Sequence, residues 1–254
     1  MQNTVKKPPQ RIVSLVPSQT ELLFDLGLDE QIVGVTKFCI HPENRVKHKT
    51  VVGGTKTLHL DRIHSLKPDW ILANKEENTR EQIEELHRHY PVHVTDIDTV
   101  ADALAMIREV GALVGRKTAA FELASKIEEA LHALPTDAES PTVAYFIWRK
   151  PYMVAASQTF IHSMLGMAGF GNAFAGLTRY PEITETDLKT ARPDFIFLAS
   201  EPYPFQDKHR AEFQSLCPGT PVVRVDGELF SWYGSRMLKA AAYFRSLRAA
   251  LSLP

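Results

Sequence analysis

Three short stretches hold residue types that could do chemistry. Cys39 and His41 stand two apart and could form a thiol–imidazole pair or half of a metal site; His48 and His59 follow, but no spacing identifies a third ligand. Glu76 and Glu77 could share acid–base work. Neighbours in a strand point to opposite faces, so cooperation requires a turn there, and a solvated loop charge is the simpler reading. Arg149 and Lys150 follow Trp148 and could neutralise an anionic ligand group, since arginine pairs carboxylates and phosphates bidentately. GxGxxG, Walker, GxSxG and HExxH patterns are all missing, and VGGTK at 52–56 has two glycines without phosphate-loop spacing. Cys39 and Cys217 form no CxxC or Cys/His quartet, so a structural zinc is not expected, and two unpaired thiols are simpler than a disulfide. No catalytic residue and no metal ligand is assigned.

The elements that must position these residues alternate. RIVSLV (11–16) is a short Val/Ile-rich run, read as a buried strand that Pro17 ends. SQTE (18–21) has the spacing of a capping box ahead of LLFDLG, with Gly27 placed to stop the helix. QIVGV, DWILA and VHVTDI read as further strands, and LDRIHSL and TREQIEELHRHY as helices. Strand–helix alternation predicts a parallel sheet covered on both faces. From Thr99 to about Leu134 no strand signal appears: TVADALAMIREVGALVG and RKTAAFELASKIEEALHAL read as two helices, followed by a loop at 135–142. The pattern then restarts with strands VAYFIW and YMVAA, helix SQTFIHSMLG, strand DFIFLA, helix DKHRAEFQSL, strand PVVRV and one closing helix from FSWYGSRM onward. SQTFIHSMLG matches SQTELLFDLG, and TARPDFIFLA matches SLKPDWILA, in the same order. A duplicated α/β lobe is the preferred reading; one continuous sheet with a helical insertion is the other.

In open α/β sheets ligands bind beyond the carboxyl ends of the strands. The candidates are therefore residues 17–18, 36–41 and 74–78 in the first half, and 148–152, 200–203 and 226–233 in the second. The second set is rich in rings: Trp148, Tyr152, Tyr203, Phe230, Trp232 and Tyr233. They fit an apolar small-molecule site, or else plug the strand ends as core.

Over 254 residues the chain is 44% hydrophobic and 23% charged, with a formal net charge of −1. A nucleic-acid partner would want a basic stripe, and the lysines and arginines are scattered. No stretch approaches the length of a membrane span, and Lys6 and Lys7 lead into two prolines rather than the apolar core of an export signal. The expectation is a protein that does not span a membrane, cytoplasmic if Met1 is the native start.

RIVSLVPSQTELLFDLGL, IVGVT and VGGTKTLHLDRIHSLKPDWILA together resemble the first lobe of the periplasmic-binding-protein family for vitamin B12 and ferric siderophores. GGTK, EEN, IWRKPYM and FSWYGSR match one branch of its relatives, and the likeness covers about residues 11 to 250. The resemblance implies two α/β lobes with parallel sheets joined by a long backbone helix, the class III substrate-binding fold. The expected divisions are 1–98, 99–134 and 135–254. It implies a monomeric binding protein, not an enzyme, that needs no cofactor and holds a metal chelate: cobalamin or another corrinoid, or a ferric siderophore. The family is usually periplasmic and serves an ABC permease. Phe38 matches an aromatic that grips the corrin in cobalamin binders, and the region of Leu229 and Phe230 matches another. Two tryptophan positions of that group are Thr55 and Asn74 here, which makes the expected cleft more polar, with Lys56, Glu76, Asn78 and Arg149. The full expected ligand set adds Cys39, His41, Glu77, Trp148, Tyr152, Trp232 and Tyr233. Transport members present one carboxylate per lobe to permease arginines; Glu81 is the first-lobe candidate, and Glu201 or Asp207 the second. The alternatives are a cytosolic chelate-binding or sensing protein without a transporter, and an enzyme acting on a tetrapyrrole or metal complex through Glu76, Arg149 and His41.

Overall fold

The computed structural model describes residues 7–135 and 140–253. Residues 136–139 of the expected loop and the first six residues, Lys6 among them, lie outside the described residues. The chain divides into two compact units. One runs to Asp96 and takes in Ala101–Ile127 and Tyr233–Arg236; the other comprises Ile97–Val100, Glu128–Trp232 and the chain from Met237 onward.

In the first unit, β1 (Ile12–Ser14), α1 (Pro17–Asp25), β2 (Ile32–Val35), α2 (Glu43–Val46), β3 (Thr50–Val51), α3 (Leu60–Leu66), β4 (Trp70–Asn74), α4 (Arg80–His87) and β5 (Val92–Thr95) build a five-stranded sheet in the order β3-β2-β1-β4-β5. Every pairing is parallel. The central strands β1 and β4 are buried along their whole length, as expected of a parallel sheet. Val13, Leu15, Ile71 and Ala73 pack with Val52, Ile63, Ile83 and Leu86 in its core.

Two helices follow, α5 (Val100–Leu113) and α6 (Lys117–His132); α6 begins in the first unit and ends in the second. Their turn uses Gly115 at φ +73, and the helices touch closely at Gly111, where a Cβ would sit 2.0 Å from that of Ala120.

The second unit contains β6 (Thr142–Trp148), β7 (Met153–Val154), α7 (Phe160–Met167), β8 (Gly171–Asn172), α8 (Glu185–Ala191), β9 (Phe195–Ala199), a 3-10 turn at Asp207–His209, α9 (Arg210–Leu216), β10 (Val222–Val225), α10 (Glu228–Ser231) and α11 (Met237–Ala250). Its sheet runs β10-β9-β6-β7, with β8 also on β6. The pairs β10–β9, β9–β6 and β8–β6 are parallel, but β7 is antiparallel to β6. The expected parallel strand YMVAA is thus a two-residue hairpin arm. Alternate residues of β6 serve opposite faces. Phe146 packs edge-on against Phe213, while Tyr145 packs against Phe230.

The repeated Pro-Asp stretch builds one device twice. Lys67 and Arg192 end α3 and α8 in left-handed geometry, at φ 47 and φ 46, and a proline follows each. The next residue is the aspartate. Asp69 accepts the N–H groups of Gln10 and Arg11 at 2.8 and 2.9 Å, just before β1. Asp194 accepts the N–H and hydroxyl of Thr142 at 2.7 and 2.8 Å, at the start of β6. Each clamps the first strand of its unit against the one it introduces.

Other local expectations are corrected. The capping box at Ser18 does not form: α1 starts at Pro17, where a missing N–H costs nothing, its N-cap is Val16 without a side-chain bond, and Glu21 turns inward. In the second copy Gln158 takes φ 58 and Thr159 is the N-cap, accepting from the N–H of His162 at 3.1 Å. The stop glycine there is Gly169 at φ +79, the counterpart of Gly27 at φ +75; Gly166 lies within the helix. The SQT match was therefore out of register by about one helical turn. The single closing helix is broken between α10 and α11. There Trp232 is extended and Gly234, at φ +107, passes so close to α1 that a Cβ would lie 3.3 Å from the Ser18 carbonyl.

Candidate functional site

In the first unit, β1 and β4 are neighbours whose connections leave in opposite directions, the arrangement that opens a crevice at the strand ends. Buried amides fill that place. Asn74 Oδ1 accepts from the N–H of Glu76 and Glu77 at 2.8 and 3.1 Å, and its Nδ2 donates to the Thr95 carbonyl at 3.0 Å. Asn78 Oδ1 accepts from the Asn74 N–H at 2.9 Å, and its Nδ2 donates to the carbonyls of Thr55 and Leu15 at 3.0 and 3.4 Å. Lys56 donates to the carbonyl of Glu76. The turn that Glu76 and Glu77 required is present, made by the Asn74 side chain. Thr55, Asn74 and Asn78 are buried, and they brace this turn through the two amides and the Thr55 carbonyl.

The loop after β2 is more open. Phe38 and Ile40 are 49% and 46% exposed, and the Lys37 ammonium lies 5.0 Å from the Phe38 ring centroid. Cys39 points inward, its Sγ 3.2 Å from the Thr20 hydroxyl and 3.3 Å from that of Thr36. Burial pushes the Cys39 thiol above its ordinary pKa despite those hydroxyls, so it is a protonated core thiol and not a nucleophile. A pocket of about 440 Å³ opens beside this loop, with Thr36, Lys37, Cys39 and His41 on its lining. Among the described residues no group of three or more His, Cys, Asp or Glu side chains is placed to hold a metal ion.

In the second unit Trp148 is 39% exposed at the end of β6, edge-on to Tyr203 with ring centroids 5.5 Å apart. Its Nε1–H donates to the Lys150 carbonyl at 3.2 Å. Arg149 does not wait for an anion: its Nε and Nη2 reach Glu212 Oε2 at 2.8 and 2.6 Å. The Tyr152 hydroxyl donates to Glu212 Oε1 at 2.6 Å, and burial, then that carboxylate, push its pKa up to about 12. Burial would raise the Glu212 pKa, but these two donors hold it below the ordinary carboxylate value. Glu212 lies inside α9, far along the chain from Arg149, and no sequence signal pointed to it.

The remaining rings lie inward. Phe230 is fully buried, 4.7 Å from Phe244 between centroids. Trp232 is buried and its Nε1–H donates to Glu201 Oε1 at 2.8 Å; the Ser231 hydroxyl donates to the same oxygen at 2.7 Å. Tyr233 is buried in the first unit. Glu201 is half-buried, its Oε1 taken by these two donors, and burial raises its pKa. Glu81, in the first turn of α4, and Asp207, in the 3-10 turn before α9, are exposed. Among the described residues, the large apolar groups left exposed at strand ends are thus Phe38, Ile40, Val51 and Trp148.

A family model described as periplasmic binding protein matches residues 12–216. The chain belongs to that family. Periplasmic binding proteins hold a solute and do not transform it. A vitamin B12-binding protein of Pectobacterium carotovorum subsp. carotovorum (strain PC1) is 27% identical over 96% of this chain and 90% of its own length. An uncharacterized ABC transporter substrate-binding lipoprotein of Bacillus subtilis (strain 168) is 28% identical over 76% of this chain and 64% of its own. Among solved structures, a periplasmic heme-binding protein in complex with two hemes superposes with a TM-score of 0.83 at 24% identity, covering 96% of this chain and 100% of that one. The periplasmic vitamin B12 binding protein of Vibrio cholerae gives 0.79 at 19% identity, covering 96% and 98%. This is the class III fold of two α/β lobes. Among the described residues no helix is long and apolar enough to cross a membrane.

Proposed function

We propose that this periplasmic binding protein takes a metal chelate of the corrinoid or tetrapyrrole class and delivers it to an ABC-type importer. The observation that supports this reading most is the exposure of large apolar rings at strand ends, Phe38 in one unit and Trp148 in the other, in a chain whose relatives are named for vitamin B12 and heme. Flat, weakly charged macrocycles gain most from such rings, which offer area at small entropic cost. Ferric siderophores are the competing cargo.

Calorimetric titration against cobalamin, cobinamide, haem and ferric siderophores tests the reading. A macrocyclic chelate should bind, and Trp148→Ala should weaken it about tenfold, roughly 1.4 kcal/mol. Tryptophan emission offers a parallel readout, because Trp70 and Trp232 are buried and Trp148 is exposed. If every chelate binds more weakly than about 100 μM, near 5.5 kcal/mol, the reading fails.

For delivery, Glu81 and Asp207 are the docking carboxylates of this proposal. Each is exposed and lies in the first turn of the helical segment that follows a strand introduced by Pro-Asp. Glu81→Arg and Asp207→Arg should each abolish stimulation of the cognate transporter's ATPase while chelate affinity stays intact. Stimulation by both variants at wild-type levels would remove these residues from docking.

A further inference from the structure

The pocket beside β2 and β3 is built for something other than a flat ring. Val35, Val46 and Val51 give it an apolar lining, and its volume of about 440 Å³ is at the small end of the range for small-molecule sites. Such a space suits an appended arm better than a macrocycle with its side chains. Three lysines also line it. The Lys49 ammonium is already committed, 2.7 Å from Asp29 Oδ1 and donating to the Asp29 carbonyl. Lys37 and Lys47 have no carboxylate partner among the described residues. Glu43, exposed in the first turn of α2, is the acid on the lining. Two uncommitted ammonium groups against one carboxylate leave the pocket with an excess of positive charge, on an apolar floor.

Resting on the chelate reading above, we propose that this pocket receives an anionic, oxygen-terminated arm of the cargo, a phosphate or a carboxylate on an apolar stem. The macrocycle would lie on Phe38 and Ile40, and the arm would turn past Cys39 toward Lys37 and Lys47. A lysine ammonium is a point charge that meets either anion without demanding bidentate geometry. Lys37 now rests over the Phe38 ring and against Gly54, whose added Cβ would sit 3.3 Å from Lys37 Cε. It exchanges a weak ring contact for an anion when the arm arrives.

Two matched pairs of chelates test this and separate the two anions. Cobalamin carries a phosphodiester in its nucleotide arm and cobinamide lacks that arm; haem carries two propionates and its dimethyl ester carries none. Affinities are measured by calorimetry on wild type and on the Lys37→Gln/Lys47→Gln double variant, with circular dichroism confirming that the variant is folded. Wild type should favour the anionic member of one pair by roughly threefold or more. The double variant should bring that ratio to about one, and raised salt should shrink it in wild type. A preference for cobalamin identifies phosphate as the anion, and a preference for haem identifies carboxylate. Chelates that bind wild type with no preference in either pair, or with a preference the double variant retains, overturn the arm proposal and leave the chelate reading standing. Failure of every chelate to bind overturns both.

Discussion

Glu21 in the first unit is buried and Glu201 in the second half-buried, and the two units neutralise these carboxylates differently. Glu21 meets Arg236 in a bidentate pair, Nε to Oε2 at 2.7 Å and Nη2 to Oε1 at 2.9 Å, with both side chains buried. Glu201 receives neutral donors, the Ser231 hydroxyl and the Trp232 indole N–H, on one oxygen. The first arrangement fixes a charge and needs its partner. The second leaves the charge poorly compensated, so burial pushes the Glu201 pKa above the ordinary carboxylate range. The chain segment running from Ser231, the last residue of α10, to Arg236 supplies the donors to both.

The larger prediction breaks the first arrangement. Glu21→Gln takes the bidentate carboxylate away from the buried Arg236 guanidinium and should cost about 3–5 kcal/mol in urea denaturation followed by the Trp70 signal. Trp70 is the appropriate reporter because it is buried in the same unit, stacked on His93 at 6.0 Å. Replacing both partners together, Glu21→Leu with Arg236→Met, should recover most of the loss, since the desolvation cost then disappears with the pair. A double variant no more stable than Glu21→Gln would mean that the pair contributes more than mutual compensation.

What the sequence revealed follows the same local-versus-distant division. The Pro-Asp device was legible because its parts are adjacent: a helix end, a proline and an aspartate within a few residues. Only its target, the N–H groups of residues 10 and 11 or of residue 142, lay elsewhere. The parallel sheet and the helix order were legible from alternation. The Glu21–Arg236 pair was not, because its members are 215 residues apart, Glu21 reading as the acid of a capping box and Arg236 as part of a closing helix. Glu212 escaped for the same reason. Ring type could not separate Phe230, which is core, from Trp148, which is exposed, because both follow strands and differ only in what packs over them. Asn74 and Asn78 read as polar loop residues, yet in place they satisfy the backbone groups of a buried turn, a need visible only once the turn exists.

The smaller prediction tests the second arrangement. With its folded pKa above the unfolded value, Glu201 holds more protons in the native state than in the unfolded chain between those two values. Stability from this group is therefore full below the unfolded pKa, near pH 4, and is lost as pH rises through the folded pKa. Glu201→Gln keeps an oxygen to accept from Ser231 and Trp232 but carries no charge to desolvate. It should raise stability at pH 7 by about 1 kcal/mol, on the scale of one net hydrogen bond, with no gain near pH 4. Thermal melts at the two pH values read the difference. A loss of stability at pH 7 would show that the ionised carboxylate is favoured where it lies. The two carboxylates would then differ in partner but not in kind.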